Sequence, residues 1–118
     1  MIAFEVPGPV VPWQRALRAK TGMSYANPMS AHYQRSIALL FGAAVGRDPW
    51  SRAGRYRVSI ATCFATKHRY DLDNVAKQVG DALNSVAWDD DSQIDEITVK
   101  RLPPSKTKAG LSIVITPL

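Results

Sequence analysis

The chain has 118 residues, 46% of them hydrophobic, with 15 Lys and Arg against 10 Asp and Glu for a net charge of +5. That length suits one domain over residues 1–118 with a modest core, and a core so small favours a homodimer. The lone Cys63 excludes an intrachain disulfide and a cysteine-rich zinc site, no apolar run is long enough to span a membrane, and no basic signal-peptide region opens the chain, so a cytoplasmic protein in a reducing compartment is expected.

In chain order, Ile2 and Phe4 alternate with Ala3 and Glu5 in a short strand over 2–6, ended by Pro7, Gly8, Pro9 and Pro12. From Gln14 to Met29 there is no period. Arg15, Arg18 and Lys20 sit there among Gly22, Asn27 and Pro28, the composition of a mobile basic loop. Ser30 is the expected N-cap of a helix to about Val45, with Tyr33, Ile37, Leu40, Phe41 and Ala44 on one stripe and Gly46 as its stop. Tyr56, Val58, Ile60, Thr62 and Phe64 then alternate with Arg57, Ser59, Ala61, Cys63 and Ala65 in a strand with one bulky face. A second helix is expected over about 74–86 and a strand from Ile94 to Arg101. The turn LPPSKTKAG and a final strand LSIVITP follow, and these last two strands would form a hairpin. The order β-α-β-α-β-β predicts an α+β domain: a mixed sheet of about four strands with two helices. Trp13, Trp50 and Trp88 are expected in the core or at a dimer interface rather than stacked on bases.

Charge is unevenly spread. Residues 1–70 carry a net +8, residues 71–96 a net −7 and residues 97–118 a net +4. A basic body suits a polyanion such as nucleic acid. An acidic island repels phosphate unless a cation lies between them.

Within that island, Asp71 and Asp73 precede the second helix, and Asp73 would serve as its N-cap. Val75, Val79, Ala82 and Val86 define the buried face of this helix. Asp73, Lys77, Asp81 and Asn84 lie opposite, where a Lys77–Asp81 ion pair on a solvated face would be unremarkable chemistry. The run Asp89, Asp90, Asp91 is less easily explained, because adjacent aspartates repel by about 1 kcal/mol per close pair even in water. A β–α–β return would carry this run back toward the Asp71/Asp73 pair. Clustered oxygen donors suit Mg²⁺, Mn²⁺ or Ca²⁺. No EF-hand spacing is present, and the distant His32 and His68 with one cysteine disfavour zinc.

The stretch DLDNVAKQVGDALNSVAWDDDSQI resembles the signature of the RusA family of Holliday junction resolvases: D-x-D-N, a lysine three residues on, D-A-L, then an aromatic shortly before D-D-x-Q. The likeness is strong over 69–101, extends weakly to the N-terminal strand and the basic loop, and departs at Tyr70 and Asp89. By position it implies catalytic roles for Asp71, Asp73, Asp91 and Lys77, with Asp71, Asp73 and either Asp91 or its neighbour Asp90 as metal ligands. It also implies a RusA-like fold and a dimer that nicks four-way DNA junctions with Mg²⁺ or Mn²⁺, leaving 5′-phosphate and 3′-hydroxyl ends, often in a phage or prophage setting. No membrane and no small-molecule cofactor are expected. Arg15, Arg18, Lys20, Lys67 and Arg69 are the candidates for holding DNA phosphates. The competing readings are a non-catalytic nucleic-acid-binding module and a nuclease for flaps or other branched DNA.

Overall fold

The computed structural model describes residues 1–13, 17–25, 27–67 and 70–118, with only the backbone considered at 17, 18 and 25. Its strands are β1 (Ile2–Pro7), β2 (Leu17–Arg18), β3 (Ser24–Tyr25), β4 (Tyr56–Cys63), β5 (Ile94–Arg101) and β6 (Gly110–Pro117). Helices α1 (Pro28–Val45) and α2 (Leu72–Ala82) separate β3, β4 and β5. Among the described residues no helix is long and apolar enough to cross a membrane.

The main sheet has the order β1-β6-β4-β5, antiparallel except for the β4–β5 pair, so the α+β expectation of a four-stranded mixed sheet with two helices holds. The expected terminal hairpin does not form. Strand β6 inserts between β1 and β4, and β5 pairs in parallel with the far side of β4. The connecting residues cross the end of β4, where Leu102 N–H donates to the Thr62 carbonyl (2.9 Å) and Ser105 N–H to that of Phe64 (3.0 Å). A parallel neighbour requires a crossover, and α2 supplies it. The segment expected to be a loop contains the small β2–β3 hairpin.

Alternation decides which sheet face is covered. Phe4, Ile113 and Ile60 are partners across three strands, Ile115 and Val58 across two, and all five are buried. Their strand neighbours Glu5, Ser59 and Arg57 are exposed, so the helices cover one face only. Helix α1 starts earlier than expected. Asn27 is its N-cap, accepting from Met29 N–H at 3.1 Å, and Pro28 fills the first helical position, where a missing N–H costs nothing. Ser30 is released from capping and is buried between the helices, donating to Gln78 Oε1 (3.0 Å). Gly46 ends α1 at φ 60°.

Two tryptophans are part of the core. Trp88 is fully buried against Tyr56, and Trp50 stacks on Tyr56 at 5.7 Å while its indole N–H donates to the Ala87 carbonyl at 2.7 Å. Trp13 is different, being half-buried beside α2.

Candidate active site

Helix α2 opens two residues before its expected start, and this changes the role of both leading acids. Asp71, with extended backbone angles (φ −72°, ψ 138°), takes the N-cap position, and Asp73 lies in the first turn. The expected Asp73 cap is therefore corrected to Asp71. Tyr70 packs its ring on Phe64 at 5.2 Å, which fixes the chain just ahead of the helix. Arg101 of β5 donates to the Tyr70 carbonyl from the parallel register that brings the β4 and β5 ends together. The Asp71 carboxylate makes no capping hydrogen bond, so both it and the Asp73 carboxylate stand exposed at the positive end of the helix dipole.

One turn on, Lys77 projects from the exposed face of α2. Among the described residues it forms no ion pair with Asp81. Its ammonium instead lies 3.8 Å from the centroid of the Trp13 ring, a cation–π contact. Asp81 is a further turn along. Burial, and next the charge of Asp91, hold its carboxyl above the ordinary aspartate value, while Lys77 and the Trp13 indole N–H pull the other way.

The opposite face of α2 is the expected apolar one, with Val75, Val79 and Ala82 buried. The helix stops at Ala82 instead of reaching Val86. Leu83 follows as the C-cap and Ser85 adopts φ 64°, turning the chain so that Trp88 enters the core beneath the helix end. The Trp88 indole N–H donates to Asn84 Oδ1 (3.0 Å) and approaches the Gly80 carbonyl (3.4 Å). This turn sets where the aspartate run emerges.

The three aspartates of the run then take three different positions. Asp89 pairs with Arg52 at 3.6 Å on the surface. Asp90 caps the short 3-10 turn Asp91–Gln93, accepting from Ser92 N–H at 3.0 Å, and the Ser92 side chain first, with that backbone N–H second, holds its carboxyl below the usual range. Asp91 turns toward α2. A Cβ placed on Gly80 would lie 3.6 Å from both the Cβ and Oδ2 of Asp91, so the bare glycine leaves room for this carboxylate against the helix.

Gln93 clamps the run. Its Oε1 accepts from the backbone N–H groups of Asp89 (2.9 Å) and Asp90 (3.0 Å), and its Nε2 donates to the carbonyls of Arg52 (2.7 Å) and Gly54 (2.8 Å). All four hydrogen bonds of one amide are thus spent on shaping a backbone that carries three like charges.

The result is an acidic strip along one side of α2. Asp71 and Asp73 are at its start, Lys77 is in the middle, and Asp81 and Asp91 are at its far end. From Asp73 to Gly80 is about 10 Å along the helix axis at 1.5 Å per residue. The crossover therefore brings the run back to the second half of α2 and not to the Asp71/Asp73 pair. Among the described residues, no three His, Cys, Asp or Glu side chains are grouped closely enough to hold one metal ion. The candidate ligands Asp71, Asp73, Asp90 and Asp91 are accordingly two separate groups.

Of the expected phosphate-binding residues, Lys20 in the β2–β3 connection and Lys67 after β4 are exposed. Arg18 contributes its backbone to β2, and its side chain lies outside the description, as do Arg15 and Arg69 altogether. Sequence reasoning passed over Arg101 and Trp13. Arg101 stands beside the start of α2 only because β5 runs parallel to β4, which no local pattern announces. Trp13 is expected in the core or at a dimer interface, and its contact with Lys77 is not legible because that partner is 64 positions away in sequence.

A sequence profile described as endodeoxyribonuclease RusA matches residues 7–116, which takes in both halves of the strip and the strands that carry them. A search of curated proteins found no match.

Proposed function

The chain belongs to the RusA family of endodeoxyribonucleases, which act on Holliday junctions, and from that premise we propose that it resolves four-way DNA junctions by paired, divalent-metal-dependent nicks in recombination and repair. The observation that carries this reading is the strip itself: exposed carboxylates and one lysine in line on α2, within a chain of net charge +5.

The donor set fits a hard cation. Asp71 and Asp73 offer oxygen only, and the Asp71 carboxylate is uncommitted to the helix. Mg²⁺ or Mn²⁺ commonly takes one or two carboxylates and completes its shell with water and substrate phosphate. When bound, the ion would lower the pKa of a coordinated water and neutralise charge on the scissile phosphate. Asp71 and Asp73 would hold it, at a helix end that already favours anions. Lys77 supplies a fixed positive charge toward the phosphoryl oxygens as negative charge builds there. Asp91 would act from the far end of the strip, apart from the Asp71/Asp73 pair, with Asp90 as its structural neighbour, because Asp90 spends its carboxylate on Ser92 while Asp91 points at α2. Lys20, Lys67 and Arg101, with Arg15, Arg18 and Arg69, hold the DNA arms by their phosphates. Cutting both sides of a junction symmetrically takes two active sites, hence a homodimer. The products would be 5′-phosphate and 3′-hydroxyl ends that a ligase can reseal.

The test is cleavage of labelled four-way junction, flap and linear duplex DNA with Mg²⁺ or Mn²⁺, run beside Asp73→Asn. Symmetric paired nicks confined to the junction are expected, with the variant binding junction but not cutting it. An intact junction after incubation with the parent protein, or equal cutting by Asp73→Asn, would sink the proposal. Cutting of flaps in preference to junctions would support the rival nuclease reading instead.

A further inference from the structure

Trp13 stands outside the acidic strip yet touches its only lysine. Its ring carries the Lys77 ammonium at 3.8 Å. The segment that presents it is fixed at three points. Gly8 N–H donates to the Ala109 carbonyl (3.0 Å), Val10 is buried in the core, and the Val11 carbonyl accepts from Gln78 Nε2 (3.0 Å). Gln78 is itself anchored, since its Oε1 accepts from Ser30 Oγ (3.0 Å) and Gln34 Nε2 (2.8 Å) of α1. Pro12, locked at its own φ, joins Val11 to Trp13. Beyond Trp13 the chain leads into the β2–β3 hairpin that carries Arg18 and Lys20.

We propose that Trp13 is a positioning residue for the cleavage reaction, holding Lys77 over its ring so that the ammonium is in place before DNA arrives. A lysine side chain has four rotatable carbons and about 2 kcal/mol of rotamer entropy to lose when it is fixed. A rigid aromatic platform removes much of that loss ahead of the reaction, when charge on the phosphate must be met by groups that need no rearrangement. The tether through Gln78 sets the platform's height above α2, because Gln78 and Lys77 are adjacent on the same helix. The proposal rests on the junction-cleaving reading for its consequence in catalysis, while the contact itself is independent of it.

The experiment compares Trp13→Ala and Trp13→Phe with the parent and with Lys77→Met, in two measurements. The first is the single-turnover rate of junction cleavage with enzyme in excess, beside junction affinity measured without divalent metal. Trp13→Ala is expected to cut about tenfold more slowly with affinity within twofold of the parent, Trp13→Phe to recover most of the rate, and Trp13→Ala to add nothing in a Lys77→Met background. The second is the NMR signal of the Lys77 ε-methylene, which the ring should shift upfield in the parent and in Trp13→Phe and release in Trp13→Ala. An unshifted Lys77 signal in the parent overturns the proposal whatever the DNA result. So does a Trp13→Ala protein that cuts at the parent rate, or one whose slower cutting is wholly explained by weaker binding. If the parent cuts no junction while the shift is present, the contact stands, its catalytic role is refuted, and the junction reading fails separately.

Discussion

Replacing Gln78 with leucine tests whether the polar bridge between the helices fixes the segment above the strip. The side chain is almost completely buried and makes three hydrogen bonds, from Ser30 and Gln34 and to the Val11 carbonyl. A hydrogen bond contributes about 0.5–1.5 kcal/mol net, and a buried partner left without one costs about 1–3 kcal/mol. Ser30 is buried and takes the full penalty, whereas Gln34 and Val11 are half-exposed and can turn to water. Discounting those two and crediting leucine's apolar burial gives a loss of about 2–3 kcal/mol. For a chain of this size that is roughly 8–12 °C in Tm. Far-UV circular dichroism melts of Gln78→Leu, Ser30→Ala and the double variant provide the measurement. The double variant should lose less than the two single losses added together, because Ser30→Ala removes the hydroxyl that Gln78→Leu strands. A Tm within about 2 °C of the parent, or strictly additive losses, would refute the argument that this bridge is a stabilising, coupled network.

Other outcomes follow from single groups whose surroundings the fold fixes. Among the described residues the buried Tyr33 hydroxyl has no hydrogen-bond partner, and burial pushes its phenol well above the ordinary tyrosine value; Tyr33→Phe should therefore leave stability unchanged or raise it by about 1 kcal/mol in a urea titration. Gly110 has φ 147° and a Cβ there would stand 2.4 Å from the Val6 carbonyl oxygen, so Gly110→Ala should prise β1 from β6 and cost about 2–3 kcal/mol by the same titration. Two carboxylates should respond to pH with opposite sign. The Arg55 guanidinium hydrogen-bonded to Asp95 holds that carboxyl low, so its contribution is present above the unfolded carboxylate range, is lost as pH falls through its folded value, and is abolished by Asp95→Asn. Asp81, raised by burial and by Asp91, does the reverse, so Asp81→Asn should raise Tm at pH 7 and lose that advantage below about pH 4.

The parts of the fold legible in the sequence are those where side-chain period alone decides. β4 and β6 alternate, α1 and the start of α2 keep a helical stripe, and the Gly46 stop is local chemistry. The errors fall where a distant partner competes with a local rule. Ser30 is a good cap by type, but Gln78 of the other helix claims its hydroxyl. The two final strands look like a hairpin because they are adjacent with a proline-rich turn between them. Yet β6 gains pairing on both edges by entering between β1 and β4, which a terminal hairpin with β5 at the sheet edge could not supply. Apolar spacing alone carries the helix to Val86, and Trp88 turning into the core stops it early at Ala82.

The same competition explains how much of the strip could be read. Asp71, Asp73, Lys77 and Asp91 were visible as residues in a pattern, but which neighbour of a pair is free to act depends on hydrogen bonds that spacing does not express. Asp90 and Asp91 are chemically identical and adjacent. One is consumed by a backbone N–H two residues on, and the other is turned against a glycine on α2. That division follows from Gln93, whose amide fixes the run's backbone from both sides, so the glutamine of the motif is explained by geometry rather than by chemistry on the substrate. A like-charged run of three would otherwise splay apart. With its backbone held, each carboxylate is steered by a separate neighbour: Arg52 for Asp89, Ser92 for Asp90 and Gly80 for Asp91. Repulsion between the aspartates then works for the site, because it keeps Asp91 on the α2 side and away from the two that serve the loop.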